Sequence, residues 1–407
     1  MVAAPKLSQF RALLATVDAA SALGAADLIN RSQSAISVAI TGLERSIGLT
    51  LFQRSTRGMV PTTAGQALAR RIAAGFAHLR SADTRLQSRR AGSSRLARLA
   101  TGVQLRALSA VIETGGFSSA ARKLHLSQPS VHRALRGLEE LARVPLWHRK
   151  GQAIDPTSEA RSLCADIDLC LSEFRLGIDE ARESVRGPGG TLLIGALPSA
   201  RVAWLPRSLA ATVTQYPEAR ASIMDGPYEE QLRALRHGRI DLIVGALRVP
   251  IPAPDIRQQE IYKDAISIVV RRSHPLAARA KSEARPLTRE QLLTLSWILP
   301  PVDSPVRHSF EALMRKHALP STYRALECTS MLVIQSLLVQ TDFAAVITTS
   351  QMESESVRSQ LCTLGPPLQG STHPVGITLR TPFTPTHLQR AFINTLRTAA
   401  PESQSVD

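Results

Sequence analysis

The chain has 407 residues, 44% of them apolar, and at roughly 100–200 residues per domain it should hold two to four domains with large cores. Its formal charge of +16 is uneven: residues 1–186 carry 26 Lys and Arg against 15 Asp and Glu, a net +11, and the remainder carries +5. That excess suits a polyanion such as nucleic acid, with an acidic membrane surface or a merely basic protein as the other readings; the opening MVAAPKLSQF lacks an apolar signal core, and no run reaches the roughly 18 apolar residues of a membrane span, so a cytoplasmic chain with no membrane partner is expected.

In chain order the first feature is a repeat. Residues 6–68 align without a gap on residues 101–163 at a constant offset of 95, with 18 of 63 pairs identical. The identities run Ala25-Ala26, Ser32-Gln33, Ala39, Gly42-Leu43-Glu44, Leu51, Arg54 and Pro61-Thr62, and they recur from Ala120-Ala121 to Pro156-Thr157. Each copy opens with a helix, near 6–18 and 102–113, whose apolar residues (Phe10, Leu13, Leu14, Val17; Leu105, Leu108, Val111, Ile112) fall at helical spacing. A second helix begins with small residues, Ala120-Ala121 in the second copy, that let helices cross closely. Ser127 then caps a third helix by offering its hydroxyl to a free first-turn amide, and Pro129 fits an early helical position.

The third helix, 33–46 and 128–141, turns Ile36, Ile40 and Leu43, or Val131, Leu135 and Leu138, toward the core. Its opposite face is free to enter a groove. That face, with the Ser-Gln start, carries Ser32, Gln33, Ser34, Ser37, Val38 and Thr41 in the first copy, and Ser127, Gln128, Ser130, His132, Arg133 and Arg136 in the second. Arg grips guanine O6 and N7 with two hydrogen bonds, while Ser and Thr suit phosphates or either base type. A basic hairpin follows in each copy, where Arg54, Arg57, Arg149 and Lys150 are expected on the DNA backbone, setting register without reading sequence. The plainer alternative is a helical scaffold with a solvated basic face.

The combination of GGFSSAA, SQPSV, the Leu-Glu pair and a wing ending in Pro-Thr resembles the winged helix-turn-helix of the LysR-type transcriptional regulators. Both copies depart from that pattern. The first has Ala22 where the second has Phe117, and Ser34 in place of Pro129; the second has Arg143-Val144-Pro145 where the first keeps Ile47-Gly48, has His132 in place of Ser37, and loses the wing glycine at Ala153.

A long amphipathic segment follows each copy. In the second, Leu163, Ile167, Cys170, Phe174, Ile178, Ala181 and Val185 form a continuous stripe. The resemblance implies a linker helix that pairs two subunits. The first copy's stripe, Leu68, Ile72, Gly75, Leu79, Asp83 and Leu86, is interrupted by a charge, so dimerisation is expected to rest on the second helix, with packing on its own chain as the alternative. Between the copies, RRAGSSRLAR (89–98) reads as a solvated basic hinge. Cys164, Cys170, Cys328 and Cys362 form no CxxC pair and read as reduced thiols in or near cores; no metal site is expected.

After Arg186-Gly187-Pro188-Gly189-Gly190, strands near 191–198, 219–224, 240–247, 266–270 and 342–347 alternate with helices near 203–216, 227–237 and 305–317, implying a mostly parallel sheet covered on both faces. GRIDLIVGAL, RRSHPLA, WILPPVDSPVR and ECTSMLVIQSLL resemble the effector-binding domain of LysR-type proteins, itself similar to a periplasmic binding protein. Ligands of open α/β sheets bind beyond the carboxyl ends of strands. Helix starts there, at Ser199, Ala200 and Arg201 and at Thr329 and Ser330, offer free N–H groups, so a small anion, often a carboxylate, is expected. The resemblance implies that these positions hold the effector, with Pro301 in the bordering loop 300–307.

The expected architecture is thus two all-α winged helix-turn-helix domains (1–64 and 99–158) followed by an α/β two-lobed periplasmic-binding-protein-like effector domain. A linker helix and connector span 65–98, a dimerisation helix 159–186, and the effector domain 190–400, with lobe I about 190–257 and 357–400 and lobe II about 258–356. The expected partners are double-stranded DNA, a small effector and a second copy, as homodimer or homotetramer, with no cofactor. A solute- or partner-binding module that does not read DNA is the alternative, and no nucleophile, base and orienter set suggests an enzyme.

Overall fold

Helices α1 (Leu7–Ala19), α2 (Ala22–Leu28) and α3 (Gln33–Ile47), a hairpin of β1 (Phe52–Ser55) and β2 (Gly58–Pro61), and the long α4 (Thr63–Arg89) form the first copy of the repeat. A short α5 (Leu96–Leu99) leads to the second: α6 (Gly102–Thr114), α7 (Phe117–Leu124), α8 (Gln128–Ala142), β3 (Trp147–Lys150), β4 (Ala153–Pro156) and α9 (Ser158–Arg186). These assignments come from a computed structural model that describes residues 5–55, 58–89, 94–150, 153–277, 285–302, 304–319 and 324–402. The chain divides into two units, Met1–Gly190 with His237–Arg239, and Thr191–Arg236 with Ile240–Asp407.

The repeat is exact down to single backbone angles. Left-handed residues occur in pairs 95 apart: Ala20 and Gly115, Asn30 and His125, Gly48 and Arg143, with φ between 50° and 73°. Gly48 adopts this helix-ending conformation without strain, whereas Arg143 does so against its own Cβ. The shared Gly-Leu-Glu segment also has a structural task. Glu44 Oε1 accepts from the Leu51 amide at 2.7 Å, and Glu139 Oε1 accepts from the Leu146 amide at 2.8 Å, fastening the end of each third helix to the entry of the wing. The wing's closing Thr62 and Thr157 each hold the linker helix, their hydroxyls accepting at 3.1 Å from the amides of Gly65 and Ala160.

One hydrophobic core runs through both copies and both long helices, from Phe10, Leu13 and Leu43 through Leu68 and Ile72 to Leu108, Leu138, Ile167 and Phe174. Phe174 packs its ring 4.9 Å from that of Phe10 and 5.3 Å from that of Phe76. The apolar stripe of α9, expected to meet a second subunit, is therefore covered by α4 of the same chain. The two helices run antiparallel, since Arg71 pairs with Glu180 late in α9 and Arg85 pairs with Asp166 near its start. The stripe's last member, Val185, is exposed.

Asp83, which had looked like a fault in the α4 stripe, is a cap. Its carboxylate accepts from the amides of Leu96 at 2.9 Å and Ala97 at 3.0 Å, and from the Ser94 hydroxyl, at the start of α5. The segment from Ser94 is anchored rather than a solvated hinge, with Leu96 fully buried; Arg90–Ser93 lie outside the described residues.

The second unit holds β5 (Gly190–Ala196), α10 (Pro198–Arg201), α11 (Trp204–Gln215), β6 (Ala219–Met224), α12 (Tyr228–Arg236), β7 (Leu242–Ala246) and β8 (Ile256–Asp264). It continues with β9 (Ile266–Arg271), α13 (Arg289–Thr294), β10 (Ser296–Leu299), α14 (Pro305–Lys316), β11 (Ala325–Glu327), α15 (Met331–Gln340) and β12 (Phe343–Thr348). The last elements are α16 (Glu355–Arg358), β13 (Leu361–Thr363), β14 (His373–Arg380) and α17 (His387–Thr398). Two five-stranded sheets result, ordered β6-β5-β7-β14-β8 and β11-β10-β12-β9-β13.

Both sheets are mixed rather than mostly parallel: β5 and β7 run parallel, as do β10 with β11 and β12, but β14 is antiparallel to β7 and β8, and β9 to β12 and β13. The lobe limits differ from those expected. Strand β8 stays in the first sheet to Asp264, and β13 belongs to the second, so the chain crosses at Ala265 and returns between Thr363 and His373. At the first crossing the buried Asp264 accepts from the Ser350 amide at 3.2 Å and from its hydroxyl at 2.5 Å.

Candidate DNA-reading heads and effector cavity

The third helix of each copy begins on a serine cap. Ser32 Oγ accepts from the Ala35 amide at 3.2 Å and Ser127 Oγ from the Ser130 amide at 3.3 Å, so both hydroxyls are engaged in holding the helix. From α3, Ser32, Gln33, Ser34, Ser37, Val38 and Thr41 are all exposed, while Ile36, Ile40 and Leu43 are buried beneath them. Val38 is 72% exposed and puts an apolar side chain on this face, beside Ser34, Ser37 and Thr41.

On α8, Ser127, Gln128, Arg133 and Arg136 are exposed, and Ser130 and His132 are half-buried. Gln128 Oε1 accepts from the Ser118 hydroxyl at 3.1 Å, and the His132 ring lies 5.5 Å from Phe117, which in turn lies 5.9 Å from Trp147. His132, Arg136, Phe117 and Trp147 border a shallow depression on this head. The Phe117 and His132 departures from the first copy thus occur together, because they touch. Arg54 stands on β1 and Arg149 and Lys150 on β3, but their side chains, and Arg57 entirely, lie outside the described residues.

The second unit encloses a cavity of about 390 Å³ lined from both sheets. Ser199, Arg201, Pro301 and Thr329 border it; Ala200 is wholly buried beneath, and Ser330 stands at the start of α15 outside the lining. Ser199 Oγ accepts from the Ala246 amide at 3.1 Å, which ties α10 to the end of β7. Arg201 donates from Nε to the Ala196 carbonyl at 3.0 Å and pairs with Asp225 at 2.7 Å; burial lowers its pKa against the raising effect of Asp225.

Sequence reasoning missed Tyr228 and Arg248. The Arg248 guanidinium lies 4.3 Å above the Tyr228 ring, and both line the cavity. Among the described residues the buried Tyr228 hydroxyl meets no hydrogen-bond partner, and burial pushes its pKa up, so it is held as a donor. Arg248 was findable, since it follows β7 beyond the carboxyl end of the strand, the same rule that led to Arg201. Ser304 also lines the cavity, as do Asp225, Cys328, Thr348 and Gln351, which carried no sequence signal.

Among the described residues no nucleophile, base and orienter set lines the cavity. Burial and the neighbouring Asp168 push the Cys164 thiol up to about 12, and burial also raises Cys170, so neither is a thiolate near neutral pH. Among the described residues no helix is long and apolar enough to cross a membrane.

Two helix-turn-helix units with capped third helices and wings, in one chain with a two-lobed unit around a small-molecule cavity, mark a DNA-binding regulator with an effector domain. The chain matches the model of the LysR substrate binding domain over residues 186–401, and that of the bacterial regulatory helix-turn-helix protein, lysR family, twice, over residues 7–66 and 103–161. It belongs to the LysR family of transcriptional regulators, which bind DNA and small-molecule effectors and form oligomers; it is not an enzyme.

The chain is 28% identical over 377 residues to the HTH-type transcriptional regulator GalR of Pseudomonas putida strain KT2440, covering 92% of both. It is 24% identical over 303 residues to PcaQ of Agrobacterium fabrum, covering 74% of this chain and 96% of that one. Among solved structures, full-length OxyR from Pseudomonas aeruginosa superimposes with a TM-score of 0.52 at 20% identity, covering 72% of this chain and 97% of that one. CbnR in complex with its target DNA gives 0.51 at 21%, covering 73% and 99%. These two folds are nearly complete within this chain yet leave about a quarter of it unmatched.

Proposed function

We propose that this regulator reads DNA through both α3 and α8, positions itself on the phosphate backbone with the two wings, and acts in the cytoplasm. The observation that supports this reading is the pair of exposed polar faces, Gln33 to Thr41 and Gln128 to Arg136, each raised on a capped helix whose other face is buried. Arg133 and Arg136 are the base readers of α8; Arg54, Arg57, Arg149 and Lys150 are the backbone contacts. Titrating a labelled fragment of the gene's own upstream DNA tests it. Arg133→Ala with Arg136→Ala should abolish the preference for that fragment over unrelated DNA, whereas Arg54→Ala or Arg149→Ala should weaken both alike and flatten the salt dependence. Variants that all bind as the parent does would overturn the assignment.

The effector we infer is a small anion held between Arg201 and Arg248, with the Tyr228 hydroxyl and Thr329 as further donors. Among the described lining residues the charged side chains are Arg201, Arg248 and Asp225, and the volume suits a small molecule. A screen of small carboxylates by thermal shift tests it: stabilisation by anions is expected, and stabilisation confined to neutral or cationic compounds contradicts it.

A further inference from the structure

The seam between α4 and α9 is built so that each helix accepts the other and rejects a copy of itself. The two helices occupy equivalent places in the repeat, so the offset of 95 gives each α4 position a counterpart on α9. In an antiparallel pair related by that equivalence, any contact implies a second one between the two counterparts. Arg71 with Glu180 implies position 85 with position 166, and Arg85 does pair with Asp166. The charges are reversed between counterparts: Arg71 corresponds to Asp166, and Glu180 to Arg85. Two α9 helices brought together in the same way would set Asp166 against Glu180 twice, and two α4 helices would set Arg71 against Arg85 twice. Both arrangements place like charges in contact at a half-buried seam.

Packing makes the same choice. Gly75 on α4 lies under Phe174, where a Cβ would stand 2.5 Å from the ring; its counterpart on α9 is Cys170. Gly177 on α9 lies against Arg71, where a Cβ would stand 2.7 Å from that of Arg71; its counterpart on α4 is Ala82. Pairing α9 with itself therefore drives Cys170 into Phe174, and pairing α4 with itself drives Ala82 into Arg71. The return of the chain is also fixed locally, because Asp83 of α4 binds the amides of Leu96 and Ala97 just beyond the connector.

We propose that a single chain forms the complete two-headed DNA-binding unit, α4 pairing only with its own α9, and that its operator consequently has two unlike half-sites. The α8 half would contain guanine for Arg133 and Arg136, and the α3 half would present thymine methyls to Val38 and Thr41. The half-site part rests on the DNA reading proposed above; the pairing does not.

Two measurements on the full chain test the proposal. In Arg71→Cys with Gly177→Cys the two Cβ positions lie within reach of a disulfide after slight opening of the helices. Mild oxidation should give a single-chain product that runs ahead of the reduced chain on a non-reducing gel, as an internally looped chain does; a band of two linked chains, or a single chain that co-migrates with the reduced form, overturns same-chain pairing. The second leaves the seam untouched and compares footprints on the upstream DNA. Arg133→Ala with Arg136→Ala should lose protection over one half-site only, and Val38→Ala with Thr41→Ala over the other. A parent that protects no DNA overturns the functional reading and the half-site assignment, with the crosslink still deciding the pairing. Loss of both half-sites together in the α8 variant overturns the proposal itself.

Discussion

Arg71 on α4 donates from Nε to Glu180 on α9 at 2.8 Å, from a side chain only 6% exposed, and its Nη1 reaches Glu173 at 3.1 Å. Burial works to lower its pKa, yet the two carboxylates raise it above the ordinary value, so the charge is held firmly. Taking a charge this far out of water is favourable only while its partners remain. Arg71→Met should lower the stability of the N-terminal unit by about 2–3 kcal/mol, since Glu173 and Glu180 are left half-buried without it. Adding Glu180→Gln should recover part of that loss in a double-mutant cycle by calorimetry; strictly additive effects would show that the two side chains do not interact.

The mirror pair behaves differently with pH. Burial holds the Asp166 carboxyl above the ordinary aspartate value, outweighing the lowering effects of Arg85 and His78. A carboxyl whose folded pKa is raised contributes stability that is full below its unfolded value, near pH 4, and is lost as pH rises through the folded value. Asp166→Asn should therefore melt higher than the parent at neutral pH, and the difference should close as pH falls below about 4. A gap that widens on acidification contradicts this. An acid that costs stability at neutral pH, yet opposes Arg85 in place of a second Arg, fits a residue that selects the partner helix.

Arg143 ends α8 in the left-handed conformation that Gly48 provides at the matching position. Arg143→Gly should stabilise the N-terminal unit by about 1 kcal/mol, from relief of the Cβ contact. In a unit of this size that is roughly 2–4 °C in melting temperature. An unchanged or lower value would mean that the exposed Arg143 side chain makes a compensating interaction.

In the effector cavity, Arg248→Ala and Arg201→Ala each remove one charged donor while leaving the Tyr228 hydroxyl in place. A charge-assisted hydrogen bond contributes about 1.5–3 kcal/mol, so each variant should need about 10–100-fold more of a stabilising carboxylate for the same thermal shift. Equal responses in parent and variants would remove both guanidiniums from the binding site.

Much of this was legible in the sequence, and the reasons differ by element. The repeat, the capped third helices and their buried faces follow from local periodicity and cap residues, which tertiary packing did not override. The phrase shared by the two copies pointed to DNA, yet Glu44, Glu139, Thr62 and Thr157 within it hold wing and linker together rather than face a groove. The stripe on α9 showed that one face must be covered, but periodicity cannot say by what. Only the fold brings Gly75 under Phe174 and Asp83 to the start of α5. In the second unit, β5, β7 and β12 read as apolar runs, whereas β8 (IRQQEIYKD) mixes polar and apolar residues along its length and was invisible to that criterion. Tyr228 and Arg248 reach the cavity from positions 20 residues apart, and their contact belongs to the folded chain alone.

The central claim, that one chain reads DNA through two unlike heads, is tested most directly by competition among three duplexes built from the footprinted site. One keeps the natural order of half-sites, and the others are palindromes made from two α3 halves or two α8 halves. The account predicts that the natural duplex binds the full chain more tightly than either palindrome, because each palindrome leaves one head on the wrong bases. A palindrome of α8 halves that binds as well as or better than the natural site would contradict it.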